Sequence, residues 1–525
     1  MSTPPLPDGP DTSPALVFSS APGRWVLVAT VLGSGLAAID ATAVGVALPA
    51  IGRDFGTGLA SLQWVVTAYT LTLAGLLLVG GSLGDRYGRR RVFVVGVVWF
   101  ATASLLCGLA PSASALIGAR ALQGVGAALL TPGSLAILQS SFGAEDRSRA
   151  IGAWSGLSGV ATAVGPFLGG WLVAAVSWRL IFFVNLPLAV AVILIAARHV
   201  PESTDPAAPR RIDLTGAALG TLGLVGLCYG LIEGPSRGWT SIPVIVPLAA
   251  GTGILVAFVA AERRTHEPML PPSLFASRQF SAANLVTFVV YAGLGGALFL
   301  LPIELQQVGH YSPVEAGTAL LPVTIIMLTL SARSGALAAR IGPRLQMSVG
   351  PLVVGAGLAL LSRAGHGDGY WRDVLPAVIV LGLGLATTVA PLTSTALAAA
   401  PVEKAGVASA VNNDVARTAQ LLAVAVLPAG AGLAGASYLR AGAFDHGFRI
   451  AMLLAAAIAA VGGLTAAASI RDRPDQRAAH RRRPRLRPAP FTHCALDATP
   501  VATTADNCPL SAGGRYPRYS ATTPR

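Results

Sequence analysis

An aspartate in the middle of an apolar segment is the first residue of this sequence whose type and position suggest chemistry. Asp40 is the one acid in the apolar run 25–48. Apolar surroundings favour the neutral form of a carboxyl group, so Asp40 is a candidate proton carrier. A second interpretation stays open, in which Asp40 bonds to neighbouring backbone groups and never exchanges its proton.

An arginine lies inside another apolar run. Arg120 falls within residues 114–138. A charged side chain at the centre of a membrane helix costs about 2.5–3.5 kcal/mol on insertion scales. We therefore expect Arg120 to face other helices and to have a polar partner. If it has no functional role, it is one member of a structural pair near the end of its helix.

A short segment between two apolar runs combines glycines with charges. Residues 81–91 read GSLGDRYGRRR. Glycines permit a tight turn, and an acid among arginines can form charge-assisted hydrogen bonds. Bonds that hold in one conformation and break in another would make this segment a gate. The gate residues are then Gly81, Asp85, Arg86, Gly88, Arg89 and Arg90. Alternatively the arginines only set topology, but the spacing of Gly and Asp favours the gate.

A proline flanked by glycines lies in the apolar run 151–175. The stretch contains Gly165, Pro166, Gly169 and Gly170. Proline removes an intrahelical hydrogen bond and bends the helix. Glycines let a neighbouring helix approach closely. This pattern predicts a bent helix that packs tightly against its neighbours.

Other polar side chains in the apolar runs are candidates for lining a substrate cavity, because a few polar anchors in a large apolar cavity suit varied amphipathic molecules. They are Gln63, Trp64, Gln123, Asn412 and Asn413. Asp414 and Arg417 lie three residues apart in one run, so we expect them to pair with each other. Glu304 lies near the end of its run, where we expect it to meet water.

Fourteen apolar runs must position these residues. The chain has 525 residues, of which 53% are hydrophobic and 12% are charged, whereas a soluble domain has about 25% charged residues. The runs are 25–48, 62–82, 92–110, 114–138, 151–175, 180–197, 214–232, 241–261, 282–302, 316–337, 345–363, 373–397, 406–434 and 448–468. A spanning helix needs roughly 20 apolar residues. The sequence therefore predicts an all-α transmembrane protein with fourteen spans.

The sequence also repeats itself. The segment 81–90 recurs in altered form as 335–344, after the second and the tenth runs respectively. Helices 1–6 and 9–14 are therefore predicted to form two related six-helix bundles, with helices 7 and 8 inserted and substrate bound between the bundles. The predicted domains are a disordered N-terminus 1–23, an N-terminal bundle 24–200, a linker with two inserted helices 201–265, a C-terminal bundle 266–470 and a disordered basic tail 471–525.

Loop charges predict the orientation of the chain. With the N-terminus inside, the inner loops carry more Arg and Lys than the outer loops, as cytoplasmic loops do. An even number of spans then places both termini in the cytoplasm. Residues 1–23 lack a basic n-region, so we expect no cleavable signal peptide. The basic tail either contacts anionic lipid or has no role.

Four stretches resemble motifs of the major facilitator superfamily, and in particular of its fourteen-helix drug:proton antiporters. Residues 81–91 resemble motif A, 116–128 motif B, 165–170 motif C and 39–49 the signature of the first helix. Two positions depart from these patterns, since Ala161 replaces the leading glycine of motif C and Gly45 replaces an asparagine of the first helix. The resemblance covers about residues 24–470.

This resemblance implies the major facilitator fold and a multidrug efflux antiporter of the bacterial inner membrane. Asp40 would bind the proton, Arg120 would tune it, Asp85 would gate, and Gly165 and Pro166 would shape the fifth helix. Motif C is associated with exporters. The implied partners are a small-molecule substrate, protons and the lipid bilayer, with a proton gradient in place of a cofactor. We expect a monomer.

Several other function classes fit the sequence less well. The net charge of +13 would suit a nucleic-acid partner, but the basic residues lie in short loops and in the tail. No nucleophile–base set or metal-ligand cluster predicts an enzyme or a metal site, and no GxxxxGK[ST] loop predicts an ATP-driven pump. Two alternatives remain: a dedicated exporter of one metabolite or self-made antibiotic, and a membrane receptor that binds a ligand without net transport.

Overall fold

The computed structural model describes residues 16–206, 212–265, 268–365, 369–401, 404–433, 435, 438 and 440–472. Fourteen long helices make up most of them. These are α1 Ala21–Phe55, α2 Leu59–Tyr87, α3 Arg89–Gly108, α4 Ala113–Ser141, α5 Ala144–Ala175, α6 (two segments, Leu180–Phe183 and Asn185–His199), α7 Leu214–Arg237, α8 Ile242–Glu262, α9 Arg278–Gln307, α10 (two segments, Pro313–Thr318 and Leu321–Ile341), α11 Pro343–Leu361, α12 (a π turn Tyr370–Val374, then Leu375–Ala398), α13 Ala405–Gly430 and α14 Ala441–Ser469.

Thirteen of these helices are long and apolar enough to cross a membrane. The exception is α13, which at 26 residues is long enough but carries Asn412, Asn413, Asp414 and Arg417 in its first half. The chain is thus a multi-pass membrane protein, and each helix overlaps one of the predicted runs, although four of the runs extend beyond a helix end. The N-terminal residues 1–15 and the tail from residue 473 lie outside the described residues, so their predicted disorder stays a prediction.

Polar and glycine residues end the helices where the apolar pattern stops. Gly56 follows α1 with φ +58°, and Gly88 separates α2 from α3 with φ +111°. Both lie in the region that favours glycine, because a Cβ is strained there. Ser112 caps α4 by accepting a backbone hydrogen bond, and Ser312 and Glu315 form a capping box at the start of α10. These short connections keep sequential helices next to each other.

The two halves of the chain have the same packing pattern. In the first half, α1 packs against α5 and α6, α4 packs against α2 and α3, and α3 packs against α6. In the second half, α9 packs against α13 and α14, α12 packs against α10 and α11, and α11 packs against α14. Each contact of the first half recurs eight helices later, as expected for a parallel repeat. The predicted architecture of two six-helix bundles is therefore confirmed.

The inserted helices α7 and α8 lie beside the bundles. They pack mainly against each other, and α7 also contacts α2 and α13. Their backbones approach closely at Gly223, Gly226 and Gly251, where an added Cβ would meet atoms of the other helix at about 3 Å or less. Close approach at small residues is typical of helix pairs in membranes.

The halves meet at one end of the bundles, where α1 ends and α2 and α10 begin. Gln63 Nε2 donates to the backbone oxygen of Val424 at 2.6 Å, and Gln306 Nε2 donates to the backbone oxygen of Val46 at 2.9 Å. Of the two segments of α10, α5 packs more against the first than against the second. In that second segment, Ala338 is the one buried residue. We call the end with Gln63 and Gln306 the closed end.

Candidate functional site

Asp40 lies inside the N-terminal bundle and is completely buried. Its carboxylate accepts hydrogen bonds from three side chains. Arg120 Nη1 donates to Oδ2 at 2.5 Å, while Gln123 Nε2 and Asn185 Nδ2 donate to Oδ1 at 2.8 Å and 3.0 Å. The structure thus brings the two charges that were singled out in the sequence into direct contact.

Arg120 is held on several sides. Its Nε donates to the backbone oxygen of Val65 at 3.1 Å, and its Nη1 also donates to Gln123 Oε1 at 2.6 Å. The guanidinium carbon lies 4.2 Å from the ring centroid of Tyr69, within range of a cation–π interaction. These contacts satisfy a side chain that is 1% exposed, so the expected polar partner is present.

A serine completes the arrangement. Ser104 Oγ accepts hydrogen bonds from Gln123 Nε2 at 2.7 Å and from Asn185 Nδ2 at 3.1 Å. We refer to the five residues Asp40, Ser104, Arg120, Gln123 and Asn185 as the buried polar cluster. All five are at most 1% exposed. The amide oxygen of Asn185 has no hydrogen-bond donor among the described residues.

Four helices supply the buried polar cluster. Asp40 comes from α1 and Ser104 from α3. Arg120 and Gln123 come from one face of α4, since residues three apart on a helix are neighbours. Asn185 begins the second segment of α6, after the interruption at Val184. The roles of Ser104 and Asn185 were not predicted. In the sequence, each of the two is a polar residue inside an apolar run. Many residues with a purely structural role have the same pattern, so it does not identify members of the cluster.

The glycine–proline stretch of α5 lies directly against α1. A Cβ on Gly165 would clash with the Thr42 side chain, and a Cβ on Gly169 would come within 2.8 Å of the Ala43 Cα atom. Thr42 and Ala43 follow Asp40 by two and three residues. Only glycine permits this approach, so the backbone of α5 packs against the turn of α1 that carries the carboxylate.

The same stretch also contacts the C-terminal half. A Cβ on Gly170 would clash with the backbone oxygen of Pro313, and a Cβ on Gly317 would clash with the backbone oxygen of Pro166. Pro313 and Gly317 lie in the first segment of α10, at the closed end. The glycine–proline stretch of α5 therefore contacts α1 next to Asp40 on one side and α10 of the other bundle on the other side.

The predicted gate segment forms charged contacts of two kinds. Asp85, near the end of α2, pairs with Arg89, the first residue of α3, at 2.8 Å, and Arg86 lies over the ring of Tyr87 at 5.2 Å. A Cβ added to Gly81 would lie 3.6 Å from the Pro132 side chain, inside α4. These contacts hold the segment to its own bundle.

The second kind of contact uses a residue that was not predicted. Glu202, which follows α6, accepts a hydrogen bond from the backbone N–H of Arg90 at 3.0 Å. It also lies 3.6 Å from the Arg91 Nε atom. Gly88 faces this carboxylate, and a Cβ there would come within 2.7 Å of it. Asp205 N–H donates to the Asp85 backbone oxygen at 2.8 Å, so the chain after α6 docks onto the gate segment.

Comparison with known proteins assigns the family. The model of the Major Facilitator Superfamily matches residues 30–423. The chain belongs to the Major Facilitator Superfamily. It is 39% identical over 451 residues to the puromycin resistance protein pur8 of Streptomyces alboniger, covering 83% of this chain and 88% of that protein. It is 38% identical over 386 residues to the multidrug resistance protein Stp of Mycobacterium tuberculosis, covering 73% of this chain and 71% of that protein.

Solved structures agree on the superfamily fold. A crystal structure of the peptide transporter POT in complex with sulfate superposes with a TM-score of 0.62 at 14% identity, covering 85% of this chain and 95% of that chain. The TM-score shows a shared fold, and at this identity the comparison supports the fold alone. The family model and the similar proteins confirm the predicted superfamily, and the structure confirms the predicted fold class.

The predicted cavity residues of this superfamily member fall into different environments. Gln63 joins the two halves at the closed end, Trp64 packs against Tyr229 of α7 with ring centroids 6.1 Å apart, and Gln123 belongs to the buried polar cluster. Asn412 is 7% exposed and donates to Asn284 and Thr287 of α9. Asn413 is exposed. Contact with a substrate stays a prediction for all five.

Two expectations about interior charges are wrong. No ion pair joins Asp414 to Arg417 among the described contacts, and the Asp414 Oδ1 atom is buried without a hydrogen-bond donor there. Sequence spacing alone does not orient two long side chains towards each other. Glu304 does not meet water: it is 0% exposed, because α14 and the turn at Gly365 cover the last turn of α9.

Proposed function

We propose that this member of the Major Facilitator Superfamily is a proton-coupled exporter of drug-like amphipathic compounds or antibiotics. One observation carries the proposal: a completely buried carboxylate, Asp40, is paired with a buried arginine, Arg120, directly beside the glycine–proline stretch that contacts the other bundle. A charge change at Asp40 therefore occurs where two helices and both halves of the chain meet.

Protonation of Asp40 would change the energy of the whole buried polar cluster. The neutral carboxyl no longer forms an ion pair, so Arg120 becomes a buried cation without its counterion. Breaking a buried pair in this way costs about 3–5 kcal/mol. Shifting a two-state equilibrium from 1:99 to 99:1 needs about 5.5 kcal/mol. The free-energy change on protonating Asp40 is thus close to the change needed to switch a transporter from one conformation to the other.

The packing offers a route for this change. Gly165 and Gly169 hold α5 against α1 immediately after Asp40, and Gly170 holds α5 against α10. A rotation or shift of α1 that separates Asp40 from Arg120 must move α5, because the backbones of α1 and α5 are closely packed at Gly165 and Gly169. α5 in turn moves the first segment of α10, at the closed end.

The proposed cycle is alternating access. With both termini in the cytoplasm, as the loop charges predict, the closed end faces outward and the structure is open to the inside. The gate segment with Asp85, Arg89 and Glu202 then lies at the cytoplasmic end and would rearrange when that end closes. Protons entering from outside would drive export across the bacterial inner membrane by a monomer, with no cofactor.

The relatives' names support export of antibiotics or drugs and leave the breadth of substrates open. One relative is named for resistance to puromycin and another for multidrug resistance. A dedicated exporter of one metabolite or self-made antibiotic has the same fold and coupling site. It is therefore the second candidate function.

Transport by purified protein in liposomes, driven by an imposed pH gradient, separates these candidates. The panel contains ethidium, a neutral amphipathic dye and puromycin. Gradient-driven movement of several chemically different compounds supports a broad exporter, and movement of puromycin alone supports a dedicated one. Binding of these compounds without gradient-driven movement would contradict the proposal and favour a receptor.

A further inference from the structure

A second buried acid lies in the C-terminal bundle, far along the sequence from Asp40. Glu304 is in the last turn of α9 and is 0% exposed. Neither of its carboxyl oxygens has a hydrogen-bond donor among the described residues. Burying an unpaired carboxylate costs several kcal/mol, so a stable structure must neutralise this group. Asp40, by contrast, is buried with three donors.

The charged neighbours of Glu304 do not neutralise it. Two act on it, Asp445 and Arg449, both on α14. The Arg449 Nη2 atom is already paired with Asp445 Oδ2 at 2.7 Å, and its Nε atom lies 3.2 Å from the Asp445 Oδ1 atom. The Nε and Nη2 edge of the guanidinium is thus occupied by Asp445. Glu304 faces an acid whose own charge is satisfied.

Asp445 is the acidic neighbour of Glu304 in the bundle. Two neighbouring ionised carboxylates repel each other, so such a pair is stable when one member keeps a proton. Asp445 is the more solvated member, with its side chain 19% exposed. Glu304 is the enclosed member, and the retained proton therefore belongs on Glu304.

Gly365 packs closely against the carboxyl group of Glu304. Gly365 has φ +95°, and an added Cβ there would come within 2.6 Å of Glu304 Oε1. Glycine is thus favoured both by its backbone conformation and by the space left for it. The Asp445 side chain is 19% exposed, so it offers water or a proton a route to Glu304.

Glu304 also lies next to a contact between the two halves. Gln306, two residues further along α9, donates its hydrogen bond to the Val46 backbone oxygen. Val46 follows Asp40 on α1 by less than two helical turns. The last turn of α9 thus carries a buried acid and one of the hydrogen bonds that join the bundles at the closed end.

We propose that Glu304 and Asp445 form a second proton-binding site, which holds one proton on Glu304 while the closed end is closed and exchanges it past Asp445. The ligand is a proton. The inference rests on the proposed function for its role in transport, but the bound proton can be detected without transport. Ionisation of Glu304 would place an unpaired charge inside the bundle and so favour an arrangement in which water reaches the end of α9.

Infrared difference spectroscopy of the full-length protein in nanodiscs tests this site, because a protonated carboxyl group has a C=O stretching band that an ionised one lacks. We expect a band from a protonated carboxyl at neutral pH that disappears on alkaline titration. Glu304→Gln should remove this band, whereas Asp40→Asn should keep it. Asp445→Asn should move its pH midpoint, since the neighbouring charge is gone.

Glu315→Gln is the matched control. Glu315 is the same residue type, but it lies at the surface and accepts hydrogen bonds from the Ser312 backbone N–H and hydroxyl group. Its loss should therefore leave the band intact. A spectrum of Glu304→Gln in which this band keeps its full wild-type intensity, or a wild-type spectrum that lacks it, would overturn the proposal. Loss of the band on adding NaCl at constant pH would also overturn it, in favour of a bound metal cation.

Discussion

The carboxylate of Asp40 and the guanidinium of Arg120 lie 2.5 Å apart, and neither side chain reaches solvent. One comes from α1 and the other from α4, so the pair joins the helix that packs against α5 to the helix that packs against α2 and α3. A proton added to Asp40 removes the counterion of Arg120 and so weakens the link between these two helices. This coupling of charge to helix position is the core of the proposed mechanism.

Removing Arg120 should destabilise the protein more than removing both members of the pair. We expect Arg120→Gln alone to lower the free energy of unfolding by about 3–5 kcal/mol, because it leaves a buried carboxylate without its counterion. The double variant Asp40→Asn/Arg120→Gln should lose less than the sum of the two single variants. Unfolding in SDS titrations measures all three. Additive losses would show that the two side chains do not interact.

A methyl group on Gly169 should stop transport. Gly169→Ala places a Cβ within 2.8 Å of Ala43 in α1, so α5 must move away from the helix that carries Asp40. Gly156→Ala is the matched control, because it lies on the same helix with no atom within 4 Å of the added Cβ. We expect gradient-driven ethidium transport to be lost in the first variant and kept in the second. Equal activities would refute the proposed transmission through α5.

Glu202 should hold the chain after α6 on the gate segment. Glu202→Gln removes the charge near Arg90 and Arg91. Because these groups are partly exposed, the loss of stability should be at most about 1 kcal/mol. The local effect should be larger, with faster thiol labelling of a cysteine placed at Thr204. The labelling experiment needs the two tail cysteines replaced, whereas Cys107 and Cys228 are buried.

Glu233→Gln provides the comparison for this experiment, since Glu233 forms an ion pair with Arg237 on α7 at 2.7 Å, away from the gate segment. It should leave labelling at Thr204 unchanged. If Glu202→Gln also leaves the rate unchanged, the segment after α6 does not depend on this carboxylate for its position.

Much of this arrangement could be predicted from the sequence because the membrane restricts the options. A charge in an apolar run must be paired inside the bundle, so Arg120 was expected to have a polar partner. The repeat of the segment 81–90 predicted two related bundles. Glycines around Pro166 predicted close packing, and the structure shows that packing against both α1 and α10.

Partners supplied by distant segments could not be predicted. Asn185 reaches Asp40 because α6 is interrupted at Val184, and Glu202 reaches Arg90 because the chain turns back after α6. Neither position has a periodic signal. The burial of Glu304 depends on α14, which lies more than a hundred residues further along the chain. Its place near the end of a run suggested contact with water, but in the folded bundle the last turn of α9 is covered.

The most direct test of the central claim compares two modes of transport by Asp40→Asn in liposomes. The first is ethidium accumulation driven by an imposed pH gradient, and the second is exchange of labelled for unlabelled ethidium at equal pH on both sides. Asp54→Asn is the control, because Asp54 is also on α1 and also pairs with an arginine, Arg179, at 2.6 Å, but lies at its exposed end. We predict that Asp40→Asn loses accumulation and keeps exchange, whereas Asp54→Asn keeps both. Accumulation at the wild-type rate by Asp40→Asn would contradict the assignment of Asp40 as the proton-coupling residue.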